Sequence, residues 1–176
     1  MRFEELARQL GIETCREISP DILIPEERIR AYCSENKCGN YGNNYTCPPY
    51  AGSLEEIRAK LKGFEKGWLL QYTWDIDVKG DREGVIRTRT DFHHKILRLE
   101  ELLKERGVNR VWGMIGGNCG LCDTCRAQSN EPCLYPDRAR MSLEAIGVDV
   151  LGLLDSSGLD SRFHTDRITW TGCILY

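Results

Sequence analysis

The sequence predicts an α/β protein, at the border with α+β, built as a four-stranded mixed sheet with packed helices and cysteine-rich metal-binding loops. Two observations carry this. Between residues 67 and 115, a run with strand alternation, a long helical stretch and a second apolar run follow one another in the order of a βαβ unit. Nine cysteines, most of them crowded into two irregular Gly- and Asn-rich segments, interrupt the regular elements.

The elements read as follows. Phe3, Leu6, Ala7 and Leu10 share one face of a short opening helix that Gly11 stops. A second helix starts at Pro25 and reaches about Tyr32, before an irregular loop from Cys33 to Tyr50. Ser53 is an N-cap for a helix over residues 54–61, with Glu55 and Glu56 in its first turn. Gly67 begins a strand in which Trp68, Leu70, Tyr72, Trp74 and Ile76 alternate with other neighbours. A helix follows over residues 85–106, with Phe92, Ile96, Leu99 and Leu103 on one face and Gly107 at its end. Residues 108–115 form the next strand, expected to run parallel to the first because a long helix separates them. After a cysteine loop at 116–133 come a helix over 138–146, a strand at 148–154 and a final strand at 168–176. These last two are expected to pair antiparallel.

The length of 176 residues suits one domain, 1–176. It divides into an N-terminal cysteine-loop section (1–50), the βαβ unit (51–115) and a cluster loop with a C-terminal hairpin (116–176). Such a chain buries a core without needing disulfide staples. The formal charge is −3, and basic residues are interleaved with acids, as in Arg98-Leu99-Glu100-Glu101. No basic patch invites a nucleic acid. The opening segment Met1-Arg2-Phe3-Glu4-Glu5-Leu6 carries acids where a secretory signal needs an apolar stretch. No apolar run approaches the ~18 residues of a membrane span. The expected setting is therefore a reducing cytoplasm with no membrane contact, where cysteines serve as thiols or metal ligands.

Gly116-Gly117-Asn118-Cys119-Gly120-Leu121-Cys122-Asp123-Thr124-Cys125 carries the clearest chemistry. Three cysteines at two-residue intervals aim three thiolates from one tight loop at a compact object. A 4Fe–4S cubane offers separate iron corners to such a loop. Gly116, Gly117 and Gly120 let the backbone approach a cofactor closely and point N–H groups at its sulfurs. The fourth ligand is Cys133 by proximity, with Cys47, followed by Pro48-Pro49, as the competing candidate. Zinc sites usually take thiolates as separated two-cysteine knuckles, which suits this loop less well.

Cys33, Cys38 and Cys47 form a looser constellation. Three thiolates on one loop could hold a second cluster, with Cys15, Cys173, a histidine or a substrate at the remaining iron. A zinc staple and metal-free buried cysteines are the alternatives. An open iron corner would act as a Lewis acid.

Both cysteine groups together resemble an uncharacterised family labelled "predicted metal-binding protein", common in anaerobic prokaryotes. Cys38-Gly39-Asn40-Tyr41-Gly42 leading to Cys47-Pro48-Pro49, the 116–125 segment, and Cys133 through Met141-Ser142-Leu143-Glu144-Ala145-Ile146-Gly147-Val148-Asp149-Val150 carry the likeness. The resemblance implies metal binding and supplies no reaction. Arg140-Met141-Ser142-Leu143-Glu144-Ala145 departs from the family's proline before a Ser-Met-Glu-Ala run.

Other residues read more plainly. Adjacent His93 and His94 point about 100° apart and do not share a small ion easily, so with Lys95 they read as polar neighbours of Phe92. His164 is expected to be exposed. Glu144 and Asp149 read as capping or surface charge, and Trp68, Trp74, Trp112 and Trp170 as sheet packing. No Gly-x-Gly-x-x-Gly run marks a dinucleotide site, and no Cys-x-x-x-Cys-x-x-Cys run marks radical S-adenosylmethionine chemistry.

The function this supports is an iron–sulfur protein with one 4Fe–4S cluster, or two, that transfers electrons to a redox protein partner or works at a redox metal centre. The alternatives are an enzyme using an open iron site at Cys33, Cys38 and Cys47, and a zinc-stapled interaction module.

Overall fold

In the computed structural model, residues 2–176 are described; Met1 of the acidic opening stretch lies outside the described residues. Among them are five α-helices and a four-stranded sheet, which makes the fold mixed α/β. In chain order the elements are α1 (Phe3–Gln9), β1 (Thr14–Ile18), α2 (Glu27–Ser34), α3 (Leu54–Leu61) and β2 (Gly67–Asp75). Then come α4 (Arg82–Glu105), β3 (Trp112–Met114), α5 (Val150–Ser156) and β4 (Arg167–Leu175).

The sheet order is β1-β2-β4-β3, and every neighbouring pair is antiparallel. The expectation of a mixed sheet is corrected on this point. β2 and β3 do run in the same direction around the long helix, but β4 lies between them and pairs with both. Gly67 stands opposite Leu175 on one side, and Trp112 opposite Leu175 on the other. The unit is a split βαβ, in which a later strand fills the gap left by the crossover. β4 qualifies because its C-terminal half is apolar throughout, with Cys173, Ile174 and Leu175 fully buried.

Local chemistry explains most boundaries. In α3, Ser53 Oγ accepts from the Glu56 N–H at 3.1 Å while the Glu56 carboxylate accepts from the Ser53 N–H at 2.7 Å, a complete capping box. In α4, Asp81 Oδ1 accepts from the Gly84 N–H at 2.8 Å. Phe92, Ile96, Leu99 and Leu103 face inward as the periodicity demands. They pack with Phe3, Leu6, Trp68, Leu70, Tyr72 and Ile174 on one face of the sheet. The other face meets Ile57, Leu61, Leu143, Ile146 and Leu153, with Leu69 and Cys173 from the strands.

Three expectations in the C-terminal third are overturned. Residues 138–146 form turns rather than a helix. Ser142 Oγ accepts from the Ala145 N–H, the Ile146 N–H donates to the Ser142 carbonyl, and Gly147 at φ +88° reverses the chain. Residues 148–154 are mostly helix, since Asp149 Oδ1 accepts from the Gly152 N–H at 3.1 Å and starts α5. A short apolar run reads equally as strand or helix, and the cap decides. The final strand therefore pairs with β2 and β3 instead of 148–154. β1 was not foreseen, because its Arg16 and Glu17 are exposed on a sheet edge. No helix among the described residues is long and apolar enough to cross a membrane.

Candidate metal centre

The loop after β3 and the loop after α2 meet at one end of the sheet. The Asn44 side-chain amide donates to the Cys119 carbonyl at 2.9 Å, and the Cys119 N–H donates to Thr46 Oγ1 at 3.4 Å. The Tyr45 hydroxyl donates to the Glu131 carbonyl at 2.7 Å. Folding thus brings together two cysteine segments that are some seventy residues apart.

Cys119, Cys122, Cys125 and Cys133 all line one pocket, walled by Tyr45 and Tyr135. Their loops are held from several sides. Gly116 passes so close to the Thr171 backbone that a Cβ there would sit 3.1 Å from both its N and O, beside the Trp170 ring. Gly117 adopts φ +70°, which an L side chain rarely takes. The Leu121 and Arg140 N–H groups point at the Cys119 sulfur and lower its pKa; burial outweighs them and leaves the thiol raised overall. Cys122 is raised too, first by desolvation, then by repulsion from Cys125 and Cys133. Four thiols gathered in one pocket are good ligands for a cation that takes their charge.

Cys33, Cys38 and Cys47 form the second group. The Gly42 N–H donates to the Pro48 carbonyl at 2.9 Å, folding the loop so that Cys38 and Cys47 approach, and the Pro48–Pro49 peptide is cis. Cys47 is pushed up to about 12, first by burial, then by Cys38 and Cys33, and it also feels Cys119. Cys47 therefore sides with Cys33 and Cys38, while Cys133 shares the pocket of the other three. Cys15 and Cys173 are sheet residues. Burial pushes Cys15 up to about 11 and Cys173 higher still, and neither lies on a cysteine loop.

Each group has an arginine that sequence reasoning passed over. Arg89 Nη1 donates to Asn118 Oδ1 at 2.5 Å, and a Cβ on Gly120 would lie 2.6 Å from Arg89 Nη2. The guanidinium thus lies along the 117–120 backbone and interacts with Cys119. Arg30 donates to the Gly52 carbonyl at 2.8 Å and interacts with Cys33. Both Nε atoms are buried and have no hydrogen-bond partner. A buried cation beside thiols, without a carboxylate hydrogen-bonded to it, is costly unless those thiols carry negative charge. That donor set, four thiols and a neighbouring orphaned guanidinium Nε, fits a thiolate-bound metal group. Among the described residues, no group of three or more His, Cys, Asp and Glu side chains is placed to hold a single metal ion.

Glu100 is the other unforeseen anchor. It is 2% exposed and accepts from Arg140 Nε at 2.8 Å, Arg140 Nη2 at 2.6 Å and the Gly113 N–H at 2.6 Å. This clamps the segment after Cys133 to α4 and β3. His93 is buried, contacts the Arg138 carbonyl at 3.0 Å and is depressed to about 4 by desolvation. His164 is half-buried rather than exposed and pairs with Asp160. Asp149 does cap α5 and also binds Arg28 at 2.9 Å. Trp68 and Trp112 are buried in the sheet, whereas Trp74 is half exposed. A cavity of about 540 Å³ at Trp74, Asp77 and Asp91 contains no cysteine.

A mixed α/β fold that gathers six cysteines onto two interlocked loops, with a seventh at the end of α2, belongs to the class of cysteine-rich metal-binding proteins. The chain belongs to the DUF2284 family of predicted metal-binding proteins, whose model matches residues 16–176. No curated protein and no solved structure matches the chain.

Proposed function

We propose that this protein carries a 4Fe–4S cluster on Cys119, Cys122, Cys125 and Cys133 and passes electrons to a redox partner protein. The observation that carries the reading is the single pocket lined by these four thiols, three of them from one ten-residue loop. Four thiols lining one pocket, three of them from a single tight loop, suit a cage with several iron corners. When bound, such a cluster supplies one-electron storage.

The chain's own residues do the rest. The Leu121 and Arg140 N–H groups stabilise sulfur charge at Cys119, and Arg89 offsets the negative charge of the thiolates. Tyr45 and Tyr135 restrict water at the pocket mouth. Leu134 (47% exposed) and Tyr135 (42%) present apolar surface directly beside Cys133, a suitable docking face for a partner.

Anaerobic purification followed by iron, acid-labile sulfide and zinc analysis tests the reading. The expected protein is brown, absorbs near ~400 nm and bleaches with dithionite. A colourless protein with stoichiometric zinc would replace it with a zinc-stapled module.

A further inference from the structure

Cys33, Cys38 and Cys47 stand together without a fourth cysteine beyond the neighbouring Cys119. Cys33 lies in the last turn of α2, Cys38 and Cys47 on the segment leaving it, and that segment is knotted by its own hydrogen bonds. Asn36 Oδ1 accepts from the Tyr41 N–H at 3.0 Å, and Asn43 Nδ2 donates to the Gly39 carbonyl at 2.9 Å. Asn40 Nδ2 donates to the Cys38 carbonyl at 3.1 Å. Arg30 pins α2 to the exit of the loop at Gly52 and leaves a buried Nε orphaned next to Cys33. That orphan is a second, independent sign that negative charge belongs here.

Glu144 stands near the group. It lies within electrostatic reach of Cys33, and the turn that carries it is tied to α2 by the Glu26 N–H, which donates to the Gly147 carbonyl at 2.8 Å. Glu144 is exposed to solvent and lines a pocket. That pocket holds about 500 Å³, with Ile29 and Tyr32 of α2, Gly117, Leu154 and His164 among its walls. Its size is that of a small-molecule site.

We infer that Cys33, Cys38 and Cys47 hold a second iron–sulfur cluster, with three cysteine ligands and a fourth iron position on the side of Glu144 and its pocket. The three thiols and Arg30 occupy one loop junction, and a carboxylate-lined cavity opens beside it. The four-cysteine centre is filled from its own loop, so its ligands do not compete. The cavity, whose walls include Ile29 and Tyr32 of the helix that carries Cys33, would admit a small molecule with an oxygen or nitrogen donor and an apolar body.

The test uses the full chain, reconstituted anaerobically with ferrous iron and sulfide, as wild type, Cys38→Ala and Cys122→Ala. Cys38 is exposed, so its removal costs no core packing. The wild type should hold about eight iron and eight sulfide per chain, and Cys38→Ala about half of each. Cyanide, as a probe of an open iron position, should shift the paramagnetic spectrum of wild type and of Cys122→Ala alike. Iron unchanged in Cys38→Ala, or loss of one zinc in place of iron, overturns the second cluster; a spectrum indifferent to cyanide overturns its open position. Iron lost only from Cys122→Ala would leave the four-cysteine reading standing and remove this one.

Discussion

Replacing Glu100 by glutamine changes one atom type at the most heavily satisfied buried carboxylate near the metal loops. Its two oxygens accept three hydrogen bonds of 2.6–2.8 Å, two from Arg140 and one from the Gly113 N–H. The Glu100 side chain is 3% exposed and that of Arg140 15%, so water does not replace what is lost. An amide keeps one acceptor and turns its NH2 toward donors, leaving Arg140 buried and uncompensated. Breaking a buried pair in this way costs about 3–5 kcal/mol. With a urea m-value of about 1–3 kcal/mol/M, the midpoint falls by roughly 1–5 M. Because the Arg140 backbone N–H points at the Cys119 sulfur, the proposed cluster should also be lost at lower denaturant. The exposed Arg98–Glu101 pair is the control, and Arg98→Ala should move stability by no more than about 0.5 kcal/mol. A Glu100→Gln protein within about 1 kcal/mol of wild type would refute the reasoning.

Arg89→Gln should lower the reduction potential of the proposed four-cysteine cluster, since removing a cation disfavours the more negative reduced state. A unit charge about 4 Å away contributes about 1–4 kcal/mol across the relevant dielectric range. That corresponds to roughly 40–170 mV for one electron. Redox titration followed by paramagnetic resonance reads it, and Arg89→Lys should recover most of the shift; equal potentials would remove Arg89 from this role. His93 is depressed to about 4 against ~6.5 in the unfolded chain. The unfolded state therefore binds the extra proton first, so stability falls as pH drops from ~6.5 to ~4, by up to about 3 kcal/mol. Denaturation midpoints of wild type and His93→Gln across that window check it; parallel curves would contradict the assignment.

The helices and the central strand were legible where periodicity ran long. The α4 stripe from Phe92 to Leu103 and the Ser53 cap needed no tertiary information. The placement of β4 between β2 and β3 was not legible, because pairing is a property of the whole sheet and both orders bury the same apolar faces. Residues 138–154 misled for a local reason: Val148-Asp149-Val150-Leu151 alternates like a strand, while the Asp149 side chain acts as a helix cap. The three cysteines at 119, 122 and 125 were visible from spacing alone. What spacing did not reveal was their support. Arg89 and Glu100 lie on the long helix, spaced like ordinary solvated charges, and only packing shows one laid along the Gly117–Gly120 backbone and the other clamping Arg140. Glu144 is exposed, as its reading as surface charge expects, but the pocket wall it joins is assembled from distant segments and is not visible in the sequence.

The central claim is that four thiols in one pocket hold a multi-iron cage. Native mass spectrometry of the anaerobically prepared chain, compared with Cys122→Ala/Cys125→Ala, measures it most directly. The double variant should lose the mass of one 4Fe–4S unit. A loss of one zinc ion, or identical masses after allowing for the substitutions, would contradict it.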